Sequence, residues 1–287
     1  MTCSLAFFLI LAAPLAAETL TADEIMRRVA ENQTKAQEAR ASYVYDMNVF
    51  VRLKRANGKL AREESRDYVV APGATGAKRK LVNVAGKILD GKKETTYSEA
   101  GYKTKDMDID GSLTDSFARD AMWRKGEMGP MMSWFPLTDA RRKYYDFSLK
   151  GEEHFGGYDV YKIDFDGHGE DDDCWKGEAL IEKNEFQPVL ITSHWTCKIP
   201  TAVTIMLGIN VHNIGAKITY QRFDKGVWFP VASGGEMKLR VFFGYARTIA
   251  FSAKNSGFRK ADVQTAIEFE GEEEKPASPT ATSVATP

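Results

Sequence analysis

The chain is short of the residues that most often mark a reaction centre. It holds 3 cysteines and 4 histidines in 287 residues. His154, His168, His194 and His212 show no HExxH or HxH spacing, so no metal site is nominated. No GxSxG nucleophile elbow is present. The run His168 to Asp173 has oxygen ligands but no EF-hand spacing, and reads as a solvated acidic loop. Charge of one sign is also missing. Lys and Arg (39) against Asp and Glu (40) leave a net −1, which excludes recruitment of nucleic acid or anionic lipid by bulk charge. No internal repeat and no second-domain linker is found. No catalytic residue and no cofactor is predicted.

What is present is an ordinary soluble composition, 43% apolar and 28% charged. Leu5 to Leu11 is an apolar run, and Ala12 to Ala17 is small and ends before Glu18. Residues 1–17 therefore read as a signal peptide cleaved after Ala17, although no Lys or Arg precedes the apolar run. The segment is too short for a bilayer span. The expectation is a protein exported to the periplasm, soluble and without a lipid anchor. Residues 18–269 form one domain in this reading, and 270–287, acidic and then rich in Pro, Ser, Thr and Ala, form a disordered tail. Loss of 1–17 removes Cys3 and leaves Cys174 and Cys197, either bridged in an oxidising compartment or as two free thiols.

Along the chain, Thr21 to Glu24 is a capping box, followed by Ile25, Val29 and Ala36 at helical spacing to about Arg40. From Tyr43 the period becomes two, with Tyr45, Met47, Val49, Val51 and Leu53 on one face. Asn57-Gly58 turns the chain into a return strand to about Val70. The charged stretch around that turn, Arg52 to Arg66, reads as a solvated hairpin tip. A strand over Arg79–Val84 follows, then an irregular region from Gly86 to Gly111 with room for a hairpin. A helix is predicted from Thr114 or Asp115 to about Lys125.

The second half reads as a meander: Tyr144–Lys150, Tyr158–Asp166, Cys174–Glu182, Pro188–Cys197, Ala216–Phe223 and Val227–Ala232. Turns are placed at Gly234-Gly235 and at Asn255-Ser256-Gly257, with a last strand near Val263–Phe269. Counting outward from the Lys183–Gln187 turn sets Ile181 opposite Leu190 and Cys174 opposite Cys197. Strands are not separated by helices, so the predicted fold is mainly β (α+β). It is a curved antiparallel sheet forming an unclosed barrel of about 10–11 strands, with helical insertions.

Two apolar stretches fall outside this strand pattern. One, past the predicted helix, holds Met122, Trp123, Met131, Met132, Trp134 and Phe135. Methionine suits a surface that adapts to varied apolar shapes, and the stretch either caps the core or faces a ligand. The other is Ile199–Ile214, with Val203, Met206, Leu207 and Ile209, which reads as a plug or lid on the sheet.

The stretches Asp173–Ile191, His194–Pro200 and Thr204–Val211, with Lys217–Val231, Gly234–Ser252 and Asn255–Val263 after them, resemble exported bacterial proteins of the outer-membrane lipoprotein-sorting type. These belong with the LolA, LolB and RseB-like superfamily, and the capped helix and first strand fit the same pattern. The resemblance implies a half-closed barrel whose helices lid an apolar cavity for lipids or lipoprotein acyl chains. It also implies, as the alternative, an envelope-stress sensor that binds the periplasmic segment of an envelope membrane protein. The classical carrier's buried lid-to-sheet arginine has no counterpart that the sequence pattern identifies. The ten apolar residues named above are the expected cavity and lid.

Overall fold

The computed structural model describes residues 20–72, 77–121, 123–124, 127–128, 137–169, 174–197, 209–224, 226–241 and 244–261. Thr21 caps helix α1 (Ala22–Arg40), with the Glu24 amide donating to Thr21 Oγ1 at 3.2 Å. The α1 stripe Ile25, Met26, Val29, Ala30 and Ala36 is buried, as helical spacing requires. Gln33 is buried with it and donates to Gln187, while Asn32 donates to the carbonyl of Glu185 at 2.7 Å. The helix is thereby tied to a turn between two strands.

Eleven strands form one sheet. They are β1 (Tyr43–Arg55), β2 (Leu60–Ala71), β3 (Lys78–Asp90), β4 (Lys93–Tyr97), β7 (Tyr145–Phe155), β8 (Tyr158–Gly167), β9 (Trp175–Glu182), β10 (Pro188–Trp195), β11 (Ile209–Asp224), β12 (Val227–Val241) and β13 (Tyr245–Lys260). Their order is β4-β3-β2-β1-β13-β12-β11-β10-β9-β8-β7, with every pair antiparallel. Strands β4 and β7 are the two edges and do not meet, so the sheet is not closed into a barrel. A two-residue pair, β5 (Trp123–Arg124) with β6 (Glu127–Met128), stands apart. Helix α2 (Ile109–Ser116) runs on into a π-helical turn over Phe117–Ala121, and α3 (Asp139–Arg142) precedes β7. Among the described residues no helix is long and apolar enough to cross a membrane.

The mainly β, antiparallel class follows the sequence pattern, but several boundaries do not. Gly234-Gly235 and Asn255-Ser256-Gly257 are not turns; β12 and β13 run straight through them. At Gly234 and Gly235 backbone and aromatic atoms come too close for a side chain, while Gly257 takes a positive φ of 63° where the β13 register shifts against β1. A Cβ on Gly235 would lie 2.4 Å from the Gly215 carbonyl and 2.9 Å from the Phe251 ring. The region from Gly86 holds the end of β3 and all of β4, joined as a hairpin. Helix α2 starts at Ile109, capped by Asp108, rather than at Thr114 or Asp115. Ile181 faces Pro188, not Leu190, because the register shifts between Pro188 and Leu190. Ile209–Ile214 belongs to β11, so this end of the supposed lid is strand. The predicted last strand, Val263–Phe269, lies outside the described residues.

One face of the sheet carries the core. Its alternating residues include Met47, Val49, Val51 and Leu53 of β1, Ile249, Phe251 and Ala253 of β13, and Ile163 and Phe165 of β8. Helix α1 packs on it against β7 and β12, and α2 with its π-turn packs against β1 and β2. This helix-bearing side is the inner face.

Candidate functional site

Strand β2 puts charge on the inner face where its neighbour β1 is apolar. Alternation places Arg62, Glu64, Arg66, Tyr68 and Val70 on the side that faces Leu53, Val51, Val49, Met47 and Tyr45 of β1. Arg62 and Glu64 are each 1% exposed and Arg66 3%. The reading of this stretch as a solvated hairpin tip is therefore wrong for its inward half. The side chains are in phase with the core, and their charges are paired rather than hydrated.

What covers them is the chain from Tyr97 to the π-turn. Arg62 Nε donates to Tyr97 Oη at 2.8 Å, Nη1 to Asp108 at 3.2 Å and Nη2 to the Tyr102 carbonyl at 2.6 Å. Tyr97 Oη in turn donates to Glu64 at 2.7 Å, and Arg66 Nε donates to the other Glu64 oxygen at 2.6 Å. Arg66 Nη2 then reaches Asp115 of α2 at 2.7 Å, and Asp115 accepts from Arg119 at 3.1 Å. Gly86 makes the stack possible: a Cβ there would sit 2.0 Å from the Tyr97 ring. The Tyr97 ring also stacks on Tyr102, with centroids 4.7 Å apart.

A second fastening joins α2 to β13. Arg247 donates to both oxygens of Asp110 at 2.8 Å, a bidentate pair, and Tyr245 donates to Asp110 at 2.5 Å. Asp108 caps α2 by accepting from the Gly111 amide at 2.8 Å, and it also accepts from the Thr104 amide and hydroxyl. Apolar contact is lighter here: Phe117 meets Phe251 at 5.3 Å, and Ala118 is fully buried.

The protonation states follow from these contacts. Burial and the bond to Glu64 push the Tyr97 phenol well above its ordinary range, and burial with the Asp110 bond does the same for Tyr245. Burial alone would raise Asp108, but the Thr104 and Gly111 bonds and the Arg62 charge outweigh it and hold the carboxyl low. Burial likewise opposes the Arg66 charge, and the Asp115 bond with the Glu64 charge more than restores it. Every charged member has its counter-ion, which makes the burial of these charges tolerable. Among the described residues no group of three or more His, Cys, Asp or Glu is placed to hold a metal ion.

Of the predicted cavity residues, Trp123 is in β5 and Ile209 is in β11 opposite Val241. Met122, Met131, Met132, Trp134, Phe135, Val203, Met206 and Leu207 lie outside the described residues. Cys174 and Cys197 are joined as a disulfide with Cα atoms 5.2 Å apart, next to the facing pair Trp175 and Trp195. The clamp residues went unread in the sequence. The signal that could have found Arg62, Glu64 and Arg66 was their phase with Tyr68 and Val70.

No family model matches the chain, and no curated protein does. Among solved structures it is similar to a LolA superfamily protein from Nitrosomonas europaea, at 11% identity and a TM-score of 0.33, covering 85% of this chain and 96% of that one. A domain described as an outer-membrane lipoprotein-sorting protein, from Vibrio parahaemolyticus, is similar at 11% identity and a TM-score of 0.36, covering 86% and 97%. A structure of the MucA/MucB complex of Pseudomonas aeruginosa is similar at 10% identity and a TM-score of 0.21, covering 86% and 96%. These matches include the superfamily that the strand pattern resembles. With TM-scores below 0.5, none of them assigns a ligand or a partner to this chain.

Proposed function

We propose that the protein is an exported carrier or binder of acyl chains, from lipids or lipoproteins, and that it holds them on the inner face of the sheet. The observation that carries this reading is the manner of attachment of the Tyr97–Ala121 segment. It lies on an apolar sheet face but is fastened there chiefly by Arg62, Arg66 and Arg247 to Tyr97, Asp108, Asp115 and Asp110. An apolar cover can leave an apolar face only by exposing both surfaces to water. A cover held by ion pairs regains hydration of its charges when it lifts, and that offsets much of what the pairs contribute when closed. The apolar face beneath is then stabilised by an incoming chain, at about 0.8 kcal/mol for each buried methylene.

The sequence beyond the described cover supports the same reading. Met122 follows Ala121 directly, and the apolar stretch with Trp123, Met131, Met132, Trp134 and Phe135 continues from there. A π-turn at the junction, Phe117–Ala121, is a local irregularity of the kind that often accompanies function. The disulfide between Cys174 and Cys197 supports export to an oxidising compartment, in keeping with the predicted signal in residues 1–17. Non-directional burial needs no catalytic group.

Uptake of a fluorescent fatty acid by delipidated protein tests the reading. Saturable binding that an unlabelled fatty acid displaces is expected, and its absence contradicts the proposal. Met206→Asp together with Leu207→Asp should abolish uptake and leave the circular dichroism of the sheet intact. If that variant does not fold, the segment is core and its role as a lid is lost.

A further inference from the structure

The opposite, outer face of the sheet has a charge pattern that net composition hides. Ladder register places Lys54 of β1 opposite Thr248 of β13, Thr248 opposite Lys238 of β12, and Lys238 opposite His212 of β11. Arg240, two residues beyond Lys238, and Lys254 and Lys217 on β13 and β11 share this face by alternation. Lys54, Lys217, Lys238, Arg240 and Lys254 are all exposed, and none makes an ion pair or a side-chain hydrogen bond among the described residues. The carboxylates on this face of β1, β13, β12 and β11 are Asp46, which pairs with Arg259, and Glu236.

The flanks of the same face are balanced. On one side Arg52 pairs with Glu63 at 3.0 Å, and Lys87 pairs with Glu63 at 3.4 Å. On the other side Lys162 pairs with Glu178 at 2.9 Å, and Lys176 with Asp166. Among the described residues the uncompensated positive charge of this face thus lies on the central strands, while Asp67 of β2, opposite Asn48, is a carboxylate bonded only to Asn48 and Asn83. No two of these charges face each other across a ladder, and Thr248 separates Lys54 from Lys238, so the face carries spread positive charge that an external anionic surface can neutralise. Gly215 and Gly234 add a shallow recess of about 400 Å³ between Lys217 and Glu236 on these strands.

We infer that this outer face docks the protein on an anionic phospholipid surface. Four adjacent strands about 4.8 Å apart give a patch about 15 Å wide, and its length from the Lys238 row to the Lys254 row is about 20 Å. It presents four lysines as flexible point charges and one guanidinium, Arg240, spread over separate rows, with Phe50 of β1 half-buried on the same face. Such a patch suits many mobile phosphates better than one fixed acidic peptide. The inference does not rest on what the inner face holds.

Sedimentation with vesicles tests it, using equal parts phosphatidylglycerol and phosphatidylcholine against phosphatidylcholine alone. Binding to the anionic vesicles only is expected, and it should fall away as salt shortens the screening length below about 10 Å. Each basic side chain near the surface contributes about fivefold, so Lys217→Gln, Lys238→Gln and Arg240→Gln together should weaken binding about a hundredfold. A control that removes three paired charges, Lys162→Gln, Lys176→Gln and Lys183→Gln, the last paired with Glu152 at 2.6 Å, should leave binding within about twofold of the parent. If the first triple variant fails to fold, Lys54→Gln with Lys254→Gln reads the same face. Equal binding to both vesicle types, or equal loss in both triple variants, overturns the proposal. Binding to polyglutamate without binding to vesicles also overturns it, in favour of an acidic protein partner.

Discussion

Arg62 has three hydrogen-bonded partners and almost no contact with water. Its truncation would strand Asp108 without its cation and leave Glu64 to Arg66 alone in a buried setting. Arg62→Ala should therefore lower stability by about 3–5 kcal/mol, measured by urea unfolding. A loss below about 1 kcal/mol would mean that water already reaches the site. The tyrosines make a pH prediction with a definite sign. Tyr45, Tyr97, Tyr220 and Tyr245 all have phenols raised above their ordinary value of 10.0, mainly by burial. The folded state thus favours the protonated form, and this contribution is complete below pH 10 and lost as pH climbs further. Unfolding on the alkaline side should bring a cooperative step in tyrosinate absorbance of the size of these four phenols. The absence of any step at unfolding would contradict their burial. Asp108 acts oppositely: held below its ordinary 3.8, it adds stability that is lost as pH falls beneath that value. At this scale the sequence was half legible. The phase of Arg62, Glu64 and Arg66 with Tyr68 and Val70 pointed inward, but charge is so seldom buried that phase alone lost the argument. The partners that make burial tolerable, Tyr97, Asp108 and Asp115, lie 33 to 49 residues away from them in sequence.

Helix α2 is eight residues long, too short to persist alone, and its place depends on what fastens it. Asp110 contributes the bonds to Arg247 and Tyr245, so Asp110→Asn should loosen the helix without disturbing the sheet. Amide exchange in Ile109–Ser116 should accelerate about tenfold or more, since a hydrogen bond to a charged group is worth about 1.5–3 kcal/mol. Exchange in β1 should not change. If β1 and α2 accelerate together, the cover opens only with the whole domain and is no separate element. Elements with one clear period were legible from the sequence: α1 with its Thr21 cap, and β1 with its unbroken alternation. Elements holding glycine were not. Gly234-Gly235 resembles a turn, yet it is strand because β11 and the Phe251 ring press against it. A pair of glycines marks close approach as readily as reversal, and local sequence does not separate the two.

At the scale of the molecule, one open sheet divides the chain into two unlike surfaces. Its inner face is apolar under an ionically fastened cover, and its outer face is basic along the central strands. The fold class was legible because strands followed one another without intervening helices, leaving an antiparallel meander as the simple solution. The basic centre was not legible, because a net charge of −1 says nothing of how charge is shared between faces. Native mass spectrometry of the protein, purified without detergent from the envelope fraction of expressing cells, tests the acyl-chain reading most directly. The account predicts a second series of peaks, heavier by the mass of one acyl lipid, that vanishes on delipidation and returns when lipid is added. A single apo mass before and after lipid is offered would contradict it.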